Sequence, residues 1–275
     1  MKLVWFPTWK CNNYGGERCP YCPYGIDREE GRLTYHGECT SALNEIDPEI
    51  VKAFFRKNCQ AMDGWVEITG GEPLMYKGLS DVLNFDIRWA ITSNTSIPVA
   101  IDRLIESGAI YRCFSWTASY HPFSGREKEF AENLKKLAMA GVPVHVTTVV
   151  SKETLPRLIE IKEFLDGLPM VGKNFHLDAH RDFDIGLKEE AEKIIGKVEW
   201  FAGEPRKNMN CRKRSELLAL SPAGELFECV THCYTRKDPL YTITPDSDLN
   251  ELEKKIEQCE DECFACSDWI KHIIL

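Results

Sequence analysis

Short apolar runs rich in β-branched and aromatic side chains alternate along this chain with longer amphipathic stretches, the pattern of βα units laid into a parallel sheet. Strands are predicted over residues 3–9, 65–69, 89–93, 113–119, 144–151 and 174–180. Between them, helices are expected to begin near Pro48, Gly78, Pro98, Arg126, Thr154 and Leu187. Asp47-Pro48-Glu49 supplies a capping carboxylate and a first-turn proline, while Gly108 and Gly141 follow periodic segments as stops. Six such units predict an α/β fold with a curved sheet, a partial (β/α)6 TIM-like barrel. The rhythm is lost after Gly203-Glu204-Pro205-Arg206-Lys207, which reads as a linker between residues 1–203 and a small cysteine-rich extension, residues 204–275.

Composition narrows the class. The chain has 275 residues, 43% hydrophobic and 28% charged, which excludes a disordered or fibrous protein and fits one large domain with an appendage. A net charge of -9 disfavours bulk attraction to nucleic acid or to an anionic membrane. Pro7 and Lys10 break the apolar N-terminal stretch, so it is not read as a secretory segment. No run approaches the roughly 18 apolar residues of a membrane helix, so a soluble cytoplasmic protein with reduced thiols is expected. The anomaly is 12 cysteines, too few for a small disulfide scaffold and too many for passive core filling.

In open parallel sheets, chemistry gathers beyond the carboxyl ends of the strands. Cys11, Cys19 and Cys22 lie there, in the loop CNNYGGERCPYC after the first strand. Three thiolates in one loop suit a metal centre. Zinc is one reading, with His36 or Cys39 as a fourth ligand. An iron–sulfur cluster with three protein ligands is the other, and it leaves one iron open to a ligand. At the end of the second strand stands Thr69-Gly70-Gly71-Glu72-Pro73-Leu74. Together the two motifs resemble the radical S-adenosylmethionine (SAM) superfamily, whose members carry a Cys-x3-Cys-x2-Cys loop and a Gly-Gly-Glu-Pro motif at these places.

The resemblance spans roughly residues 1 to 200. It implies that Cys11, Cys19 and Cys22 hold a 4Fe-4S cluster whose open iron chelates the amino and carboxylate groups of SAM. It further implies that Gly70, Gly71 and Glu72 face the methionine amino group and that Tyr21 lies near the adenine. Asn94, Ser119 and Ser151 close the third, fourth and fifth strands, where the family holds the ribose and carboxylate; each is equally a turn or capping residue. The first gap here is seven residues, not three, and includes Tyr14-Gly15-Gly16. Lengthening a flexible closure costs only about 0.6 kcal/mol per doubling, so the cluster is expected to be intact. His121 and His180 are candidate acid–base groups or structural side chains. Glu67, Trp65 and Trp116 lie on strands that border the barrel interior, the tryptophans being more in keeping with core.

Half of the thiols, Cys211, Cys229, Cys233, Cys259, Cys263 and Cys266, crowd into the tail. Residues 217–220 and 225–228 read as two strands around the turn Ser221-Pro222-Ala223-Gly224, a hairpin that would bring Cys211 and Cys229 together. This resembles the SPASM and twitch extensions of radical SAM enzymes. It implies one auxiliary 4Fe-4S cluster on Cys211, Cys229, Cys263 and Cys266, with Cys233 and Cys259 left over; a structural zinc on the same thiols is the alternative. Cys39, Cys59 and Cys113 read as loop, helix-end and strand residues. The activity implied is reductive cleavage of SAM to a 5′-deoxyadenosyl radical that abstracts hydrogen from a substrate carbon, with net oxidation or rearrangement aided by the auxiliary cluster. A low-potential donor such as flavodoxin or ferredoxin is the implied redox partner. The substrate is a small molecule, a peptide or a nucleotide, the last supported only by the basic run Arg206, Lys207, Arg212, Lys213 and Arg214. A non-catalytic zinc-binding interaction protein is the reading from a different class.

Overall fold

Strand pairing turns this pattern into a geometry. The computed structural model describes residues 1–13, 19, 24–27, 32–35, 38–42, 44–168, 175–179, 185–196, 200–201, 209–210, 217–236, 238–252 and 258–259. Its strands are β1 (Lys2–Trp5), β2 (Tyr24–Asp27), β3 (Arg32–Tyr35), β4 (Glu38–Ala42), β5 (Trp65–Ile68), β6 (Arg88–Ser93), β7 (Cys113–Tyr120), β8 (Val144–Val150), β9 (Phe175–Ala179), β10 (Trp200–Phe201), β11 (Met209–Asn210), β12 (Leu217–Leu220), β13 (Glu225–Phe227), β14 (Tyr241–Thr242) and β15 (Gln258–Cys259). The helices are α1 (Pro48–Asn58), α2 (Leu79–Leu83), α3 (Pro98–Glu106), α4 (Glu127–Met139), α5 (Leu158–Asp166), α6 (Ile185–Ile195) and α7 (Val230–Thr235). Ten strands form one sheet in the order β10-β9-β8-β7-β6-β5-β1-β12-β13-β14. Every pairing from β10 to β12 is parallel, and the β12–β13 and β13–β14 pairings are antiparallel. Among the described residues the sheet is open, with β10 and β14 at its edges.

Alternation along the strands divides the sheet into two unlike faces. Leu3, Trp5, Val66, Ile68, Trp89, Ile91, Trp116, Ala118 and Val146 point to the helices and join Phe54, Phe55, Leu83, Leu104, Leu137 and Ile161 in the main core. Burying each large apolar side chain contributes roughly 1.5–3 kcal/mol, and a one-residue slip would turn the whole set outward, so the register is firmly specified. The opposite, inner face carries Glu67, Thr92, Ser115, Thr117, Ser119, His145 and Thr147 on β5 to β8. At its β1–β12 end, α7 covers Val4, Leu217 and Ala219 and forms a second, smaller core with Phe6, Trp9, Phe227 and Tyr234.

The helix signals act as read. The Asp47 carboxylate accepts from the Glu49 amide at 2.9 Å ahead of Pro48, and Gly108 and Gly141 have φ of 77° and 75°. The first strand is shorter than expected and ends at Trp5 instead of residue 9. Pro7 has no N–H for the ladder, and the Thr8 and Lys10 carbonyls turn away to accept from Gly71 and Glu72. Two parallel strands join the six expected. One, β10, is two residues long, too short for any periodicity. The other, β12, forms the expected hairpin with β13 and also lies parallel to β1. Residues 24–42 contain an antiparallel meander, β2–β3–β4, which places Cys39 on a strand, not in a plain loop. Trp116 belongs to the helix-side core, whereas Trp65 shares the inner face with Glu67. No described helix is long and apolar enough to cross a membrane.

Asn58 ties α1 to the chain beyond the hairpin. Its amide donates to the Phe54 and Ser247 carbonyls, both at 2.9 Å, and its oxygen accepts from the Leu249 amide at 2.7 Å. Asn58→Ala would leave buried backbone groups unpaired and is expected to destabilise the protein by about 2 kcal/mol, read as a fall in the urea midpoint at unchanged m-value. A change below about 0.5 kcal/mol would show that other contacts hold this segment.

Candidate active site

The rim of the sheet is assembled around two glycines. A Cβ on Gly70 would lie 2.7 Å from the Thr8 carbonyl oxygen, and one on Gly71 would lie 2.4 Å from both the Trp9 and Lys10 carbonyl oxygens. Only glycine admits so close a backbone. Across the gap, Gly71 donates to the Thr8 carbonyl at 3.1 Å and Glu72 to the Lys10 carbonyl at 2.7 Å. The segment leading into Cys11 is thereby stitched to the end of β5. Glu45 braces it from the other side, accepting from the Thr8 hydroxyl at 2.6 Å and pairing with the Lys10 ammonium at 3.0 Å.

Glu72 is fully buried and ties β5 to β6. Its Oε1 accepts from the Leu74 amide at 3.0 Å and the Ser93 hydroxyl at 2.8 Å, and its Oε2 from the Asn94 amide at 2.7 Å. With the carboxylate committed internally, contact between this turn and a ligand falls to the backbone. Burial pushes the Glu72 carboxyl up to about 7, against the opposing pull of its three donors.

Asn94 follows β6 and faces the first cysteine. Its amide nitrogen donates to Asn12 at 2.6 Å and lies 3.9 Å from Cys11 Sγ, while its oxygen accepts from the Ser96 hydroxyl at 2.6 Å. Between Asn94 and Ser96, Thr95 sits at φ 55°, a left-handed conformation costing a β-branched residue about 1–3 kcal/mol. Four bonds hold it there: Trp116 Nε1 to the Thr95 hydroxyl, Asn133 to its carbonyl, and its own amide to the Ser93 hydroxyl, each at 2.9 Å, and its hydroxyl to the Ser93 carbonyl at 3.2 Å.

Cys11 and Cys19 meet through Asn13, whose amide lies 3.4 Å from Cys11 Sγ and whose side-chain nitrogen lies 3.9 Å from Cys19 Sγ. His121 Nδ1 is 3.5 Å from Cys19 Sγ, and desolvation lowers the imidazole to about 4. Beside the thiols is a narrow recess, partly open to solvent, whose lining includes Asn13, Asn94, Ser96, His121 and Arg126. Two buried polar atoms in that lining, Asn13 Oδ1 and Arg126 Nε, have no hydrogen-bond partner among the described residues. Asn12, Asn13, Ser96 and Arg126 were not singled out by sequence. The asparagines carried a signal, since they directly follow Cys11; Arg126, 115 positions away at the entry to α4, carried none.

The Ser119 hydroxyl lies 3.4 Å from that of Thr147 on the inner face. The Ser151 hydroxyl accepts from the Glu153 and Thr154 amides, both at 3.3 Å, and serves the turn before α5. Cys22, Tyr21, His180, Cys211, Cys263 and Cys266 lie outside the described residues. Cys229 caps α7, its sulfur accepting from the His232 amide at 3.3 Å, and buried Cys233 follows one turn later. Burial raises the Cys233 thiol well above its ordinary value. The β11–β15 ribbon pairs Asn210 with Gln258 and Met209 with Cys259, so the chain entering Cys211 runs against the strand bearing Cys259. Among the described residues no three metal-binding side chains converge.

The raised carboxyl of Glu72 has a consequence for stability. Between about pH 4.5 and 7 the unfolded chain releases this proton while the folded chain keeps it, so Glu72 makes stability fall as pH rises through that window. In Glu72→Gln, the decline of the urea midpoint from pH 5 to pH 7 is expected to be shallower than in the wild type. An unchanged slope would mean that Glu72 is ionised throughout.

No protein-family model and no curated protein matches the sequence. Among solved structures, the chain is similar to Streptococcus suis SuiB bound to S-adenosylmethionine, with TM-score 0.54 and 14% identity over 90% of this chain and 62% of SuiB. It is likewise similar to SuiB bound to the precursor peptide SuiA, at TM-score 0.55 and 15% identity over 90% of this chain and 63% of that one. A third similar structure is anSMEcpe with bound AdoMet and Cp18Cys peptide, at TM-score 0.55 and 12% identity over 98% of this chain and 90% of that one. The chain thus spans less than two thirds of the length of SuiB. What is present fits a cluster and SAM: two thiols on one patch, a glycine turn pressed against the cysteine loop, and two orphaned polar atoms beside them. By its parallel α/β sheet and by these structural neighbours, the chain has the fold of the radical SAM enzymes.

Proposed function

We propose that this chain is a radical SAM enzyme that modifies a peptide, holding a 4Fe-4S cluster through Cys11, Cys19 and Cys22 with SAM beside it. The observation that carries the reading is the meeting of Cys11, Cys19 and Asn94 beside the Gly70-Gly71 turn, at the carboxyl rim of a parallel sheet. Bound there, the cluster and SAM supply reductive cleavage to methionine and a 5′-deoxyadenosyl radical, which takes hydrogen from a substrate carbon. The chain's residues bind and orient. Asn13 directs N–H groups at two sulfurs, which favours their thiolate forms. Arg126 offers the carboxylate of SAM a charged donor from the wall of the recess. The Gly70–Glu72 backbone meets the methionine amino group, Tyr21 the adenine, and Asn94 and Ser119 the remaining polar atoms. Ser151, occupied by its own turn, contributes by shaping the rim.

A peptide substrate is supported by the similar structures, SuiB having been solved with the precursor peptide SuiA and anSMEcpe with a Cp18Cys peptide. Cys211, Cys229, Cys263 and Cys266, in a twitch-like extension, would hold an auxiliary 4Fe-4S cluster, whose chemistry there would be one-electron oxidation. The ribbon that runs the chain entering Cys211 beside Cys259 supports convergence of the tail cysteines. Flavodoxin or ferredoxin delivers the low-potential electron.

Protein reconstituted without oxygen is expected to hold about eight irons per chain and to form 5′-deoxyadenosine from SAM and dithionite. Cys19→Ala should abolish this cleavage, whereas Cys263→Ala should retain it; colourless protein containing only zinc would overturn the reading. Arg126→Gln should raise KM for SAM about tenfold with a smaller effect on kcat, the signature of a ground-state contact.

A further inference from the structure

We infer that Glu67 is a substrate-recognition residue, and that the group it receives is a cation: a primary ammonium or a guanidinium at the end of a flexible substrate side chain. The inference deepens the peptide reading above and rests on it for where the reacting carbon lies. Val66 and Ile68 point into the helix-side core, so the residue between them points to the inner face. In register, Glu67 stands beside Val4 of β1 and Ala90 of β6. Asn94, at the level of the cysteines, lies four residues further along from Ala90, roughly 13 Å at about 3.3 Å per residue. Glu67 thus lies inside the sheet, well below the rim.

The surroundings of Glu67 are built for a polar guest. One step further from the rim, Trp65 and Phe114 pack edge to face with centroids 5.6 Å apart. Lys2 Nζ lies 6.0 Å from the Trp65 ring, and the Arg88 guanidinium lies 4.8 Å from the Phe114 ring. These four side chains form a floor. Towards the rim come the half-buried Thr92, Thr117, Ser119 and His145 and the buried Thr147. Glu67 is the carboxylate between floor and hydroxyl-lined wall.

Glu67 is also unpartnered. It is only 7% exposed, and no hydrogen bond or ion pair reaches its carboxylate from the described residues. Among the described residues the charge that acts on it is Lys2, and that ammonium is held over Trp65, not paired with the acid. Burying a carboxyl group without partners costs several kcal/mol when it is ionised, and a wholly structural position would be met as well by glutamine or leucine. Burial pushes the carboxyl up to about 8. An arriving ammonium or guanidinium would supply the missing donors and charge, and an apolar or anionic side chain would not.

The test uses n-pentylammonium, pentylguanidinium and the neutral control pentan-1-ol, titrated by ligand-observed NMR into the reconstituted wild type, Glu67→Gln and Glu67→Leu. The wild type should bind either cation at least tenfold more tightly than the alcohol, and both variants should lose that preference while keeping the wild-type near-ultraviolet circular dichroism. Equal binding of cation and alcohol by the wild type, or a preference that persists in both variants, would overturn the inference. The wild-type comparison alone decides the matter if the variants misfold. Cleavage of SAM by the wild type is followed in the same samples. Cleavage without cation preference counts against Glu67 alone, and cation preference without cleavage counts against the radical SAM reading alone.

Discussion

The approach of two backbones at the rim governs everything placed there. Gly70 and Gly71 bring the end of β5 so close to Thr8, Trp9 and Lys10 that any side chain would collide with a carbonyl oxygen. Two hydrogen bonds then lock the contact. Cys11 follows the locked segment directly, so the position of the first thiol is set by a strand that is distant in sequence. The same contact ends β1 early, because carbonyls that would continue the ladder are spent on the glycine turn. Glu72 extends the lock to β6 through Ser93 and Asn94, and Asn94 in turn reaches Cys11. Three strand ends, one loop and one thiol are thus linked around the recess.

Strain and orphaned polar groups cluster around that recess. Thr95 is held left-handed by bonds from Trp116 and Asn133, and it is the residue that aims Asn94 and Ser96. Asn13 Oδ1 and Arg126 Nε are buried in the adjoining recess without partners among the described residues. Folding alone would favour relieving each of these. On the inner face of the sheet, Glu67 is a further instance, a carboxylate without a donor, set above an aromatic floor.

The two faces of the sheet divide the labour. The helix side is filled by large apolar residues and specifies register; the inner side carries hydroxyls, an imidazole and Glu67. At the β1–β12 end, α7 covers this inner face and brings Cys229 and Cys233 against Phe6, Trp9 and Tyr234. The tail is therefore tied to the barrel sheet by strand pairing and by core. Trp9 lies two residues before Cys11, so this packing connects the neighbourhood of the first cysteine to the helix that carries the later ones.

Periodicity and punctuation in the sequence were enough to locate six parallel strands, the caps at Asp47, Gly108 and Gly141, and the 217–227 hairpin, because each follows from local alternation and turn chemistry. The cysteine loop and Gly-Gly-Glu-Pro motif were legible as chemistry for the same reason: their residues are neighbours along the chain. What sequence did not reveal arises from contacts between distant segments. The parallel seat of β12 beside β1 depends on which edge was left open, and β10 is too short to leave a pattern. The commitment of Glu72 to Ser93 and Asn94, the arrival of Arg126 beside Asn13, and the isolation of Glu67 have no local signature, since burial and partnership belong to the packed chain. Sequence by itself determined which residues form strands, helices and turns, and which carry thiols. Tertiary structure alone decided which of the polar groups would meet a partner inside the protein and which would not, because burial and partnership exist only once distant segments are packed together.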